Sequence, residues 1–523
     1  MKKIGFLALT VILLVSMLLG SCAEPEVSPT PTTETPTPKF GGRLHLVGAG
    51  NIANFGDPNQ ISNPGDAAYT FVACEPLLTF DAEGNLAPWL AREYEIAPDG
   101  SSITFYLQEG VKFQDDTPFD ADAVKYNIDI QITTPAWPNF KPFEKCEVLD
   151  KYTVKVSFKD GKFDWPSVRS LAYFFSGLMF SPTYLRNNTP EYKRTHMVGT
   201  GPFKLAEYKR DEYVKFDRFD DYWRGRPYLD GIDYKIIPDL NTQLMAYRAG
   251  EIDVLGVQPK DRESLEADGF EIVEMPATVV IVLALIPSSN NPDSPLADIN
   301  VRRACEYAID KQLLLDTIGY GLGGVCNQIY PENDPCHNPE TVGYPYNPDE
   351  ARRLLKEAGY EQGLKLNFYQ VDFLPMDFPL AIQGMWAEVG IETEIIRLSI
   401  LQINDMVVAG GSGWEGWFYA FAVAGPITDP ASALINGPIN YNTTWCSNWE
   451  PPELIELAKL GAAELDVEKR VQIYQEISKK MVDDYAQWLF LYYPIGLTSV
   501  SPRVQGATFA GIPFAYAFAW VEY

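Results

Sequence analysis

Asn347-Pro348-Asp349-Glu350-Ala351-Arg352-Arg353-Leu354-Leu355-Lys356-Glu357-Ala358-Gly359 carries a full set of helix signals. Asn347 stands at the N-cap, where a side-chain oxygen accepts orphaned backbone N–H groups. Pro348 suits the first helical position and Glu350 the third. Ala351, Leu354, Leu355 and Ala358 then fall on one apolar stripe, and Gly359 sits where a C′ glycine belongs. Leu364–Tyr369 reads as a strand, Leu380–Val389 as a helix stopped by Gly390, and Glu392–Leu398 as a further strand. This alternation predicts βα units, a largely parallel sheet and the α/β class.

The same punctuation extends both ways. Gly42-Arg43-Leu44-His45-Leu46-Val47 and Ile103-Thr104-Phe105-Tyr106-Leu107 alternate as strands. Asp310 is placed to cap a short helix. Asp466 caps another, with Val467, Val471, Tyr474, Ile477 and Met481 on one side, leading into the apolar strand Trp488–Tyr493. Gly199, Gly201 and Gly250 suit turns with unusual backbone angles. Arg302 and Asp253 are a possible ion pair.

The start of the chain has a different character. Met1-Lys2-Lys3 precedes the apolar run Ile4–Leu19, which is shorter than the roughly 20 residues of a membrane span and fits a secretory signal. It ends in Leu19-Gly20-Ser21-Cys22. Ala23–Pro38 is rich in Pro and Thr with almost nothing to bury, and reads as an extended tether.

The chain has 523 residues, too many for one hydrophobic core, so two or three lobes are expected. With 42 Lys and Arg against 70 Asp and Glu, its formal charge of −28 disfavours nucleic-acid partners, which need a basic face. Catalytic signatures are poor: there is no His-Glu-x-x-His and no Gly-x-Ser-x-Gly. Gly319-Tyr320-Gly321-Leu322-Gly323-Gly324 matches a dinucleotide pattern but follows a helix-like stretch rather than a strand, so no cofactor is expected. His45, His196 and His337 form no metal-like spacing, and no metal is expected either. Cys326 and Cys336 flank a Pro/Asn-rich loop and are the best candidate disulfide, with free buried thiols as the alternative.

A series of segments resembles one family. It comprises Glu75-Pro76-Leu77-Leu78-Thr79-Phe80-Asp81, Leu86-Ala87-Pro88-Trp89-Leu90-Ala91 and Gly110–Val124. It continues with Val198-Gly199-Thr200-Gly201-Pro202-Phe203-Lys204-Leu205, Tyr222-Trp223, Ala249-Gly250-Glu251-Ile252-Asp253-Val254 and Val301–Lys311. In this order they resemble the family 5 extracellular solute-binding proteins of ABC importers, the oligopeptide, dipeptide and nickel group. Residues 19–22 likewise resemble the lipobox of bacterial lipoproteins, with lipid on Cys22.

The resemblance implies a two-lobed periplasmic-binding-protein fold (type II, cluster C-like) with an extra subdomain on the first lobe. Signal peptide 1–21 and lipid-anchored linker 22–41 would precede it. Lobe I would take 42–74, 196–283 and 488–523, the subdomain 75–195, and lobe II 284–487. It implies a monomer held by lipid on the outer face of the cytoplasmic membrane, delivering a solute to permease and ATPase subunits without being an enzyme. Ligand contacts are implied at Asn51, Asn54 and Phe55, at Trp414, Trp417, Tyr419, Phe421 and Asp429, and at Tyr492 and Tyr493. Peptide-binding members hold the α-ammonium with an Asp near a position that here reads Pro426, with Asp429 as the nearest acid. That departure counts against a peptide held by its α-ammonium without excluding peptides; the resemblance still implies a peptide first, with an oligosaccharide or other organic solute as the alternative. Trp414, Trp417, Trp445 and Trp449 fall close together and would suit a sugar. A surface hydrolase on a stalk is the rival reading.

Overall fold

The computed structural model describes residues 37–523 apart from 49, 51, 53, 62–63, 82–83, 135–139, 174–176, 276–279, 373, 408–411, 425–429, 436–438, 440–444, 508–515 and 523. The signal, Cys22 and most of the tether lie outside the described residues, as do Asn51, Pro426 and Asp429.

Two mixed sheets organise the body. The first has seven strands in the order Phe203–Lys209, Tyr213–Arg218, Gly231–Ile236, Arg43–Gly48, Val254–Val257, Leu497–Val500 and Ile272–Glu274. Its central strand, Arg43–Gly48, runs parallel to both neighbours. The second sheet has five, in the order Ile391–Leu398, Leu364–Val371, Trp417–Ala424, Val280–Pro287 and Leu489–Phe490. The first three are parallel, and Val280–Pro287 is antiparallel to both its neighbours. A third, antiparallel sheet of Ala91–Ile96, Ser102–Leu107, Thr153–Phe158 and Phe143–Asp150 has its own core around Leu78, Phe105, Phe113 and Val156.

The local signals around 347 behave as their chemistry requires. The Asn347 side chain accepts from Glu350 N–H, Ala351, Leu354 and Leu355 are buried, and Gly359 takes φ +88°. The following strand, helix and strand are Leu364–Val371, Asp377–Glu388 and Ile391–Leu398. Asp310 accepts from Leu313 N–H, and Asp466 from Glu468 and Lys469 N–H. Val467, at the first turn of that helix, faces solvent instead of the stripe.

The chain passes between the two large sheets twice, between Glu274 and Val280 and between Phe490 and Leu497, the second time by way of the short strand Tyr492–Pro494. The two passages lie side by side, since Met275 N–H donates to the Gly496 carbonyl at 2.8 Å. The expected crossing points at 283/284 and 487/488 fall inside the second sheet. Val280–Leu283 already pair with the strand ending at Ala424, and Leu489–Phe490 pair with Ala284 and Leu285. The apolar run Trp488–Tyr493 is broken into Leu489–Phe490 and Tyr492–Pro494, the latter pairing with Gly323–Val325. Short apolar segments give no signal for such a break.

Three further expectations are corrected. Gly199 and Gly201 must be small because of close approach, not backbone angle: an added Cβ would lie 2.2 Å and 2.9 Å from the Ala73 carbonyl oxygen. Gly250, by contrast, does take φ +71°. Cys326 and Cys336 do not form the disulfide with each other, and both are buried in the core of the second lobe. Asp253 is paired with Arg503 at 2.5 Å and accepts His45 N–H at 2.7 Å, while Arg302 lies in the other lobe. The buried Arg302 guanidinium donates instead to the carbonyls of Leu296, Ala297, Tyr485 and Ala486 at 2.7–3.0 Å.

Candidate ligand-binding site

In open α/β sheets, ligands bind beyond the carboxyl ends of parallel strands, where loops can carry side chains free of the ladder. In the first sheet these ends are Gly48, Ile236 and Val257; in the second, Val371, Leu398 and Ala424. The loop after Gly48 and the end of the strand Trp417–Ala424 are therefore the places to look.

The first loop is largely internal. Asn54 is buried and shapes its own turn, its amide donating to Asp57 O at 2.7 Å and accepting from Asp57 N–H. Phe55 is fully buried, edge-on to Tyr208 at 4.9 Å and to Tyr69 at 5.8 Å. Both residues fix the loop by hydrogen bonding and packing, so their side chains offer no open face to a ligand.

The strand Trp417–Ala424 divides by its period of two. Phe418, Ala420 and Ala422 turn to one face, into the core shared with Val282, Ala284 and Ile286. Trp417, Tyr419 and Phe421 turn to the other. Along that second face the cover thins toward the carboxyl end. Trp417 is 1 % exposed, against Trp386 at 6.0 Å. Tyr419 is half-buried and stacked on Phe378 at 4.4 Å. Phe421 is 59 % exposed. The neighbouring strand repeats the trend: Leu285, opposite Tyr419, is buried, Leu283, opposite Phe421, is partly buried, and Ile281, opposite Val423, is 44 % exposed. Phe421 and Ile281 thus form an exposed apolar row at the sheet end closest in sequence to the first crossing.

Tyr492 is buried in the same cluster as Tyr419, and Tyr493 is half-buried on the short strand beside Gly323–Val325. Burial, reinforced by Tyr492, pushes the Tyr419 phenol above its usual range, so it is a neutral hydrogen-bonding group at physiological pH. The tryptophan concentration at 414–449 is mainly core. Trp414 and Trp445 lie 6.4 Å apart, with Trp445 also 5.5 Å from Phe418 and 6.0 Å from Trp488. Trp449 alone of the four is exposed, edge-on to Tyr485. Of the sequence candidates, the fold sets Tyr419 and Phe421 on one strand face and packs Tyr492 in the cluster beside Tyr419. Ile281 and Phe378 join them and were missed, because an apolar strand residue and an apolar helix residue carry no local mark of exposure.

The model of the bacterial extracellular solute-binding proteins, family 5 (middle region), matches residues 85–422. The chain belongs to that family. It is 27 % identical over 468 residues to heme-binding protein A of Haemophilus influenzae, covering 83 % of each chain. It is 26 % identical over 460 residues to the dipeptide-binding protein of Escherichia coli, covering 80 % of this chain and 83 % of that protein. The fold matches that of the periplasmic binding protein DppA of Helicobacter pylori, solved with the peptide STSA, with a TM-score of 0.79 at 21 % identity over 93 % of this chain and 99 % of that one. The architecture is the two-lobed periplasmic-binding-protein type. Among the described residues no helix is long and apolar enough to cross a membrane.

Proposed function

We propose that this protein is the solute receptor of an ABC importer, capturing a peptide or peptide-sized organic solute between its lobes and presenting it to a membrane permease. The observation that carries the reading is the exposed pair Phe421 and Ile281 at the carboxyl end of the second sheet, beside the Tyr419–Phe378 stack. An apolar row of this kind gains by covering a hydrophobic side chain or ring. The neutral Tyr419 phenol supplies orientation. Rotation about the two adjoining crossings closes the lobes and takes the solute out of water. The family's relatives include a dipeptide-binding protein and a structure holding a tetrapeptide, which supports the peptide class. An oligosaccharide is the second reading, favoured by exposed Trp449, whose ring suits a sugar face.

The reading extends to the chain's start. Signal cleavage before Cys22 and lipid on its thiol would hold a monomeric body on the outer face of the cytoplasmic membrane, with no turnover of the solute. The test is native mass spectrometry of the purified protein. A small molecule released on unfolding and recovered intact is the expected result. Conversion of that molecule by the protein alone overturns the receptor reading in favour of a hydrolase.

A further inference from the structure

The subdomain reaches the second lobe at a point outside both crossings. Trp165 opens the helix Trp165–Tyr173 of the subdomain, and its indole N–H donates to the Glu464 carbonyl at 2.8 Å. The Arg470 guanidinium lies over the same indole, 5.0 Å from its centroid, and 5.5 Å from the ring of Tyr474. Arg470 is itself tied to its own lobe, donating from Nε to the Gly461 carbonyl at 3.2 Å. Phe163 backs Trp165 edge-on at 4.9 Å. A Cβ added at Gly100 would meet Leu465 Cδ1 at 3.7 Å, so the two surfaces also touch beside the indole.

The subdomain is in turn bound to the first lobe. Glu75, at its beginning, accepts from Thr200, Tyr222 and Trp223 of that lobe. It therefore moves with the first lobe, and opening at the crossings must pull Trp165 away from Glu464 and Arg470. A contact present in the closed arrangement and absent in the open one adds its free energy to closure alone.

We propose that Trp165 and Arg470 form a latch that holds the lobes closed and so sets solute affinity without touching the solute, an inference that rests on the solute being held between the lobes. Both are positioning residues. A cation over a partly buried indole together with one hydrogen bond shifts the closed-to-open ratio by about tenfold. Apparent affinity follows the closed fraction.

The test uses the full chain, freed of solute by unfolding and refolding, and needs no ligand. Small-angle X-ray scattering gives the radius of gyration, and amide exchange reports on Trp165–Tyr173. Arg470→Ala is expected to enlarge the particle and to speed exchange in that helix, with the thermal midpoint of each lobe unchanged. Arg470→Lys keeps a cation over the ring and restores most of the effect, and Trp165→Phe is intermediate because it keeps the ring and loses the N–H. Unchanged scattering and exchange in Arg470→Ala overturn the latch, as does a wild-type profile already fitting separated lobes. Both readouts are free of solute, so a wrong solute class fails the mass-spectrometric test and leaves these results standing.

Discussion

The Trp223 indole N–H donates to the buried Glu75 carboxylate at 2.9 Å. Tyr222 OH and Thr200 Oγ1 donate to the same carboxylate at 2.7 Å, and the Trp89 indole at 2.9 Å. One acid thus joins the subdomain to the first lobe. A glutamine keeps one acceptor oxygen and turns the other into a donor facing donors. Glu75→Gln is expected to cost about 2 kcal/mol at neutral pH, read as a lower urea midpoint. Burial raises the Glu75 pKa above its ordinary 4.5 despite the four donors. A raised acid contributes stability that is complete below 4.5 and is lost as pH rises through the folded value. The wild-type advantage over Glu75→Gln is therefore largest near pH 4.5 and shrinks toward neutrality. An advantage that grows with pH would contradict this assignment.

Phe421 and Trp417 share a strand face and have opposite exposures. Phe421→Ala is expected to change stability by no more than about 0.5 kcal/mol and to weaken binding of the co-purified solute. Trp417→Ala opens a cavity against Trp386 and is expected to cost about 3–5 kcal/mol. Paired calorimetry, titrating solute and then scanning temperature, separates the two effects. Full affinity in folded Phe421→Ala would remove the exposed row from the binding site.

Among the described residues Arg302 has carbonyl partners and no carboxylate. Burial pushes its pKa down to about 10, so it remains charged at neutral pH. Its planar fork spans two segments, Leu296–Ala297 and Tyr485–Ala486. Arg302→Lys cannot reach all four acceptors and is expected to recover little of the roughly 3 kcal/mol lost in Arg302→Met. Guanidinium unfolding of the two variants side by side decides this; near-wild-type stability in the lysine variant would contradict it.

Gly323 takes φ +120°, and a Cβ there would sit 1.9 Å from the Tyr493 carbonyl oxygen. Gly323→Ala must separate Gly323–Val325 from Tyr492–Pro494 and displace Tyr493. A loss of about 2 kcal/mol or more is expected. Differential scanning calorimetry should show it as a lower transition temperature.

Local and patterned features were legible in the chain itself. The caps at Asn347, Asp310 and Asp466, the C′ glycine Gly359, and the strand–helix–strand series to Leu398 all depend on contacts within a few residues, so side-chain chemistry and spacing specify them. Family membership, too, followed from the order of short motifs. The tertiary structure decided matters that depend on what lies opposite. It set Phe421 in the open and Trp417 in the core, although both are aromatic residues on one strand face, because helix cover ends between them. It gave Asp253 to Arg503 and Arg302 to four carbonyls, and it made Gly199 and Gly201 a matter of close approach to Ala73. It also placed Trp165 against Arg470, more than three hundred positions away in the chain. Burial and long-range pairing are properties of two surfaces meeting, and a single linear pattern encodes only one of them at a time.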